Sequence, residues 1–144
     1  MAKYALDTSV LIDALNRATE LDALLGFLSW ALPDTRLSAV VAHEVDAGVT
    51  SSRQRGLLDQ QLVGPFERRH RVFAPSPAAW RRAGQVIAHG HRAPTAAALN
   101  DLLLAVSCRE GGITLVTRDR DFRRLVRLVR GLAVVAPYPT KGSS

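Results

Sequence analysis

The sequence predicts an α/β fold, a sandwich built on four or five parallel strands, and three observations predict it. Short apolar runs of strand length alternate with helical patterns, so each crossover must carry the chain back across a sheet. The 144 residues, 47% of them hydrophobic, suit one compact domain that buries about two-thirds of its unfolded surface. No internal repeat, low-complexity segment or linker divides the chain, so residues 1–138 are expected to form a single domain and 139–144 a disordered tail.

The first apolar run, Tyr4–Leu6, ends at Asp7, and Thr8 and Ser9 supply capping oxygens for a helix through Val10, Leu11, Ile12, Ala14 and Leu15. Leu21, Leu24, Leu25 and Leu28 recur at helical spacing over residues 18–31, and Pro33 closes that helix. Residues 36–38 give a weak strand signal before a helix over 40–48, which contains Glu44. Residues 51–56 are polar and turn-like; Leu57, Leu58, Leu62 and Phe66 then predict a helix bent near Gly64-Pro65. A strand is expected at 71–74, and Ser76-Pro77 opens a helix through Trp80, Val86 and Ile87 that ends near Gly90. Thr95 caps a helix over 96–109 that is apolar on nearly every side, as a central buried helix would be, and Gly111-Gly112 ends it. A strand at 113–116, a helix at 119–130 and a last strand at 132–135 precede a Pro-Tyr-Pro exit.

Composition excludes several classes of function. The single cysteine, Cys108, rules out an internal disulfide framework and any site of clustered thiolates, and reads as a small core residue. No apolar run approaches the roughly 18 to 20 residues that span a bilayer, and the start lacks the pattern of a signal peptide, so a cytoplasmic protein is expected. The 19 basic residues against 13 acidic give a formal charge of +6, and all but Lys3 and Lys141 are arginine, whose planar fork suits phosphate. A receiver-type signalling domain needs a lysine late in the fold, and the only lysines are Lys3 and Lys141, in the first residues and in the tail. A haloacid-dehalogenase-type phosphatase wants a second aspartate where Ser9 stands.

The informative acids are those in costly or unusual places. Asp7 follows the first strand, and Asp119 and Asp121 follow a later one. Ligands of open parallel sheets bind at the carboxyl ends of strands, so these side chains can converge although more than a hundred positions separate them. Asp101 lies beside Asn100 within the apolar helix, where an unpaired charge needs a partner, a cation or an opening to water. Each also has a plain structural use: Asp7, Asp119 and Asp121 as helix caps, Glu44 as part of a solvated face, Asp101 as an acid near a helix start. Clustered carboxylates repel, and one or two hard divalent cations, magnesium or manganese, relieve that repulsion through oxygen ligands. Arginines around such a centre suit a polyanionic substrate, and the combination suits phosphodiester hydrolysis.

Four blocks carry a family resemblance: Leu6-Asp7-Thr8-Ser9-Val10-Leu11-Ile12-Asp13; Glu44-Val45 with Gly48; Asn100-Asp101-Leu102-Leu103-Leu104-Ala105; and Leu115-Val116-Thr117-Arg118-Asp119-Arg120-Asp121-Phe122. In this order the chain resembles the PIN-domain nucleases, and within them the VapC-type ribonuclease toxins of toxin-antitoxin pairs. The resemblance implies an α/β/α sandwich, with Asp7, Glu44, Asp101 and Asp119 as the acidic quartet around Mg2+ or Mn2+ and Asp121 as a fifth, peripheral acid. It makes Thr8, Ser9 and Thr117 hydroxyls that orient a carboxylate or water, and Asn100 an accessory. It further implies metal-dependent cleavage of RNA that inhibits translation, frequent homodimerisation and a neutralising VapB-like antitoxin. Residues 53–94 match least, and no functional residue transfers there.

The arginines after the last block read as a solvated face or as an RNA contact. Arg120, Arg123, Arg127 and Arg130 make the best stripe, with Arg118 at its start and Arg124 beside it, while Phe122, Leu125 and Val129 point inward. His43, next to Glu44, points elsewhere on its helix, and His89 and His91 read as a helix end. Trp30 and Trp80 are expected to pack. The competing functional reading is a non-catalytic PIN-like RNA-binding or regulatory module; metal-dependent cleavage separates the two.

Overall fold

The computed structural model describes residues 2–90 and 95–142. The elements run β1 (Tyr4–Leu6), α1 (Thr8–Asn16), α2 (Ala18–Ala31), β2 (Thr35–Ser38), α3 (Ala39–Gly48), α4 (Ser52–Leu57), α5 (Gly64–Arg68), β3 (Val72–Phe73), α6 (Pro77–Gly90), α7 (Ala96–Gly111), β4 (Thr114–Val116), α8 (Phe122–Leu128) and β5 (Ala133–Val135). The five strands form a parallel sheet in the order β3-β2-β1-β4-β5, flanked by helices as an α/β/α sandwich. All three residues of β1 are buried, as its central place requires. The chain steps outward from β1 through β2 to β3, then returns to the other side of β1 to lay down β4 and β5. The direction of winding therefore reverses between β1 and β4, which are paired Leu6 to Val116, and a crevice opens at the carboxyl ends of these two strands.

The core is continuous, with Leu6, Leu11, Leu24, Leu37, Leu58, Leu62, Phe66, Leu103, Leu115 and Phe122 almost wholly enclosed. Helix α7 runs through it with Leu102 to Cys108 all buried, while its first turn, at Ala97 and Ala98, is exposed. Thr95 caps it by accepting from the Ala98 amide at 3.1 Å, and Gly112 closes it in the left-handed conformation with φ 63°. Burial pushes the Cys108 thiol up to about 12, consistent with an inert packing residue.

Several elements differ from expectation, each for a local reason. The polar segment expected as a turn at 51–56 is the helix α4: Ser51 accepts from the Gln54 amide at 3.1 Å, and Arg55 pairs with Asp46. It continues into a wider turn over Leu58–Leu62 before α5. Gly64 starts α5 in a buried position where a Cβ would sit 1.9 Å from the Asp59 carbonyl oxygen. Strand β3 is two residues rather than four. Helix α8 begins at Phe122, not 119, because Thr117 and Asp119 side chains bind the amides of Asp119 and Asp121 and hold the intervening residues as a turn. Trp30 packs edge-on against Tyr4 and Phe27 as expected, but Trp80 is half exposed. The buried face of α6 is made by the small residues Ala79 and Ala83, and Trp80 projects from the next position around the helix. The tail is described as far as Gly142; Ser143 and Ser144, like His91, lie outside the described residues. Among the described residues no helix is long and apolar enough to cross a membrane.

Candidate active site

Asp7 leaves the end of β1 and is 3% exposed. It occupies the position before the first residue of α1, yet its carboxylate makes no cap bond to that helix. Instead Oδ2 accepts from Ser9 Oγ at 2.8 Å and from Thr117 Oγ1 at 2.7 Å. No side-chain cap hydrogen bond forms, although the Thr8 and Ser9 amides at the start of α1 act on the carboxylate. Its amide donates to the Val116 carbonyl at 3.0 Å, so backbone and side chain both fasten β1 to the end of β4. Burial raises the carboxyl above its ordinary range, against the opposing pull of the Thr117 and Ser9 hydrogen bonds and the Thr8 and Ser9 amides.

Thr117 ties two of the acids together. Its hydroxyl donates to Asp7 and accepts from the Asp119 amide at 3.0 Å, while Asp119 Oδ1 accepts from the Asp121 amide at 2.9 Å. Asp119 is half-buried and Asp121 exposed. On the other side, Thr8 Oγ1 donates to Glu44 Oε1 at 2.9 Å and turns that half-buried carboxylate of α3 toward β1. Glu44 is thus not a plain solvated-face residue. His43 beside it is exposed.

Asp101, half-buried on α7 with Asn100 before it, completes the group. Its carboxyl is pushed up to about 7, first by burial and then by the negative charges of Asp7, Glu44, Asp119 and Asp121. The other four predicted acids therefore all lie within electrostatic reach of Asp101. Among the described residues no group of three or more acids, histidines or cysteines stands at a spacing that would hold a metal ion as placed. The donor set nevertheless fits a hard divalent cation. It is all oxygen, and burial raises the carboxyls of Asp7 and Asp101, a shift that a cation of charge two would oppose.

Sequence reasoning missed one network at the edge of the site. Arg118 Nε lies 3.1 Å from Asp13 Oδ2 of α1, and Nη2 is bound to Glu20 of α2. Asp13 is also 3.4 Å from Arg17. The Tyr138 ring stacks on Phe27 at 5.3 Å, and burial pushes its hydroxyl up to about 12 against the pull of the neighbouring Arg118. Arg118 thus joins α1, α2 and the chain exit to the loop that carries Thr117 and Asp119. This sets it apart from Arg120, Arg123 and Arg127, which have no ion pair among the described residues.

The sequence matches the PIN domain family over residues 4–128, and the chain belongs to that family. A search of curated protein sequences returns no significant match. Among solved structures, the fold is similar to DNA-bound VapBC from Salmonella typhimurium, with a TM-score of 0.69 and 17% identity over 94% of this chain and 98% of that one. It is also similar to a toxin-antitoxin complex from Klebsiella pneumoniae, with a TM-score of 0.64 and 22% identity over 96% and 100% of the two chains. FitAcB from Neisseria gonorrhoeae gives a TM-score of 0.64 and 20% identity over 91% and 95%. At these identities the likeness is one of fold.

Two predictions follow from the geometry. A folded carboxyl held near 7 against an ordinary 3.8 means that the folded state binds more protons between those values, so stability falls as pH rises from about 4 to about 7. Melting in the presence of a chelator should show Asp101→Asn raising stability at pH 8 by about 1–2 kcal/mol, after discount for the group's partial exposure, with little effect at pH 4. A stability curve for the variant that parallels wild type would refute this. Arg118→Ala should destabilise by about 1–2 kcal/mol, because it leaves Asp13 and Glu20 facing each other without their shared cation, and Arg118→Lys should recover only part. The check is a denaturant titration of the three proteins.

Proposed function

We propose that this PIN protein is a metal-dependent endoribonuclease, the VapC-like toxin of a toxin-antitoxin pair, acting in the cytoplasm on RNA whose cleavage inhibits translation. The observation that carries the reading is the buried Asp7 carboxylate, fixed by two hydroxyls at the point where the sheet reverses, together with Asp101, which feels the charge of Asp7 and of three further acids. In this reading Asp7, Glu44, Asp101 and Asp119 hold Mg2+ or Mn2+, with Asp121 at the periphery. The cation, when bound, supplies an activated water and offsets charge that builds on the phosphate. Ser9 and Thr117 fix the orientation of Asp7, Thr8 that of Glu44, and Thr117 also fixes the turn that presents Asp119. Asn100 flanks Asp101 as an accessory. The likeness of fold to toxin-antitoxin complexes supports a VapB-like antitoxin as partner, and homodimerisation is carried over from the family resemblance.

The test is cleavage of a labelled RNA after chelation and metal replacement. Asp7→Asn and Asp101→Asn should each lose about 100-fold or more of the activity while melting no lower than wild type, because loss of one repelling carboxylate relieves the metal-free centre. Wild-type-like cleavage by a verified Asp7→Asn protein would sink the assignment. A wild type that binds RNA but cleaves none with either metal would establish the non-catalytic module instead.

The partner reading has its own measurement. An antitoxin that sets a basic side chain against these carboxylates competes with the cation, so inhibition by such an antitoxin should weaken as magnesium rises. Inhibition indifferent to magnesium over a wide range would place the contact elsewhere.

A further inference from the structure

Three consecutive residues after β4 are fastened in different ways, and the difference falls on Arg118. Thr117 donates its amide to the Val135 carbonyl at 3.1 Å and its hydroxyl to Asp7 at 2.7 Å, so it is tied to both flanking strands. Asp119 has no such tie. Its amide donates to the Thr117 hydroxyl, and its carboxylate and carbonyl accept from the Asp121 and Phe122 amides, so these bonds all stay within one turn. Between the two, Arg118 is held twice. Its amide donates to Ser9 Oγ at 3.4 Å, and its guanidinium bridges Asp13, at 3.1 Å, and Glu20. Ser9 and Asp13 are four residues apart and share one face of α1, so that face takes both the backbone and the side chain of Arg118. Glu20 stands in the first turn of α2, where the helix dipole favours an acid. Both acids are half-buried, and neither belongs to the quartet.

Resting on the metal-dependent reading above, we propose that Arg118 is a positioning residue of the acidic centre: it straps the turn that presents Asp119 to α1 and α2, and cation affinity depends on that strap. Magnesium and manganese tolerate little error in the place of an oxygen ligand, so a carboxylate on a turn must be held by the groups around it. Thr117 fixes one end of the Thr117–Asp119 link, and Arg118 fixes its direction toward α1. The planar fork of arginine can meet two carboxylates along separate edges, which a lysine ammonium cannot do. The strap has a sign that plain electrostatics does not share. A guanidinium one residue from a proposed ligand repels a cation by Coulomb's law, so deleting the charge alone should tighten metal binding. Deleting the strap should weaken it, because the bound cation must then order a turn that the folded protein no longer orders. An RNA-contacting role for this side chain would leave metal affinity to the Coulomb effect and act on the substrate instead.

The experiment is titration of the metal-free protein with Mn2+, followed by the paramagnetic resonance of the free ion, at a temperature below the melting of every variant and with cleavage kinetics beside it. Arg118→Ala should weaken Mn2+ binding about tenfold, and Arg118→Lys, which keeps the charge without the fork, should fall between that variant and wild type. Arg55→Ala removes an arginine paired with Asp46 and Asp59, none of them an acid of the centre, and should leave Mn2+ affinity unchanged. Because the strap acts through Asp119, Arg118→Ala should weaken binding no further in an Asp119→Asn background. In cleavage, raising Mn2+ should restore most of kcat to Arg118→Ala with KM for RNA unchanged. A raised KM at saturating metal would assign the side chain to the RNA and overturn the strap. Equal or tighter Mn2+ binding by Arg118→Ala, alongside metal-dependent cleavage by wild type, would overturn the strap and leave the nuclease reading standing. A wild type that binds no Mn2+ would overturn the nuclease reading and the strap with it, whereas binding without cleavage, weakened as predicted in Arg118→Ala, would support the strap and overturn the nuclease reading alone.

Discussion

Asp7 is held at two levels at once, its amide on the Val116 carbonyl and its carboxylate on the Thr117 hydroxyl, and both contacts bridge the same pair of strands. The backbone bond extends the parallel register of β1 and β4 by one residue, and the side-chain bond fixes where the chain goes once the strands end. Because Thr117 also receives the Asp119 amide, the course of the loop after β4 is decided by a group that belongs to β1. A charged side chain that is 3% exposed is otherwise a liability, and burial does raise its carboxyl. The fold tolerates this because two hydroxyls satisfy the buried oxygen, the alternative being an orphaned acceptor in the interior.

Charge is segregated around this point. Five acids gather where the sheet reverses, while the outward arginines of α8 sit beyond them without partners. A protein stabilised only by its ion pairs would have mixed the two signs, and it does so elsewhere, at Arg55 with Asp46 and at Arg118 with Asp13 and Glu20. Most other described arginines also lack a carboxylate partner, so what sets this region apart is the gathering of the acids and not the unpaired state of its arginines. It gives the molecule a strong local field despite a formal charge of only +6.

The parts of this architecture legible in the sequence are those written in local patterns. Tyr4–Leu6 and the residues before Thr117 read as strands because they are short apolar runs followed by turn and cap residues, and α7 read as central because almost nothing polar interrupts it. The acids stood out because carboxylates at strand ends and in an apolar helix are costly wherever they occur. Helix α4 was hidden, since Ser-Arg-Gln-Arg-Gly-Leu has no apolar period and owes its helicity to the Ser51 cap and to a cation reaching back to α3. The grip of Arg118 was hidden for a different reason: its partners lie about a hundred residues upstream, and no spacing rule connects them. Its position beside Asp119 placed it among the substrate-facing arginines, where the structure shows its guanidinium already held.

Gly64 carries a consequence for the stretch of chain from which no functional residue transfers. Any side chain there meets the Asp59 carbonyl oxygen at 1.9 Å, so the identity of the residue is dictated by a backbone oxygen and not by a substrate or cation. Among descendants of such a chain this glycine would persist as stubbornly as Asp7, with no bearing on catalysis. Invariance at this position would therefore report the bend between α4 and α5, and residue persistence alone is a poor guide to activity in a fold whose packing is this close.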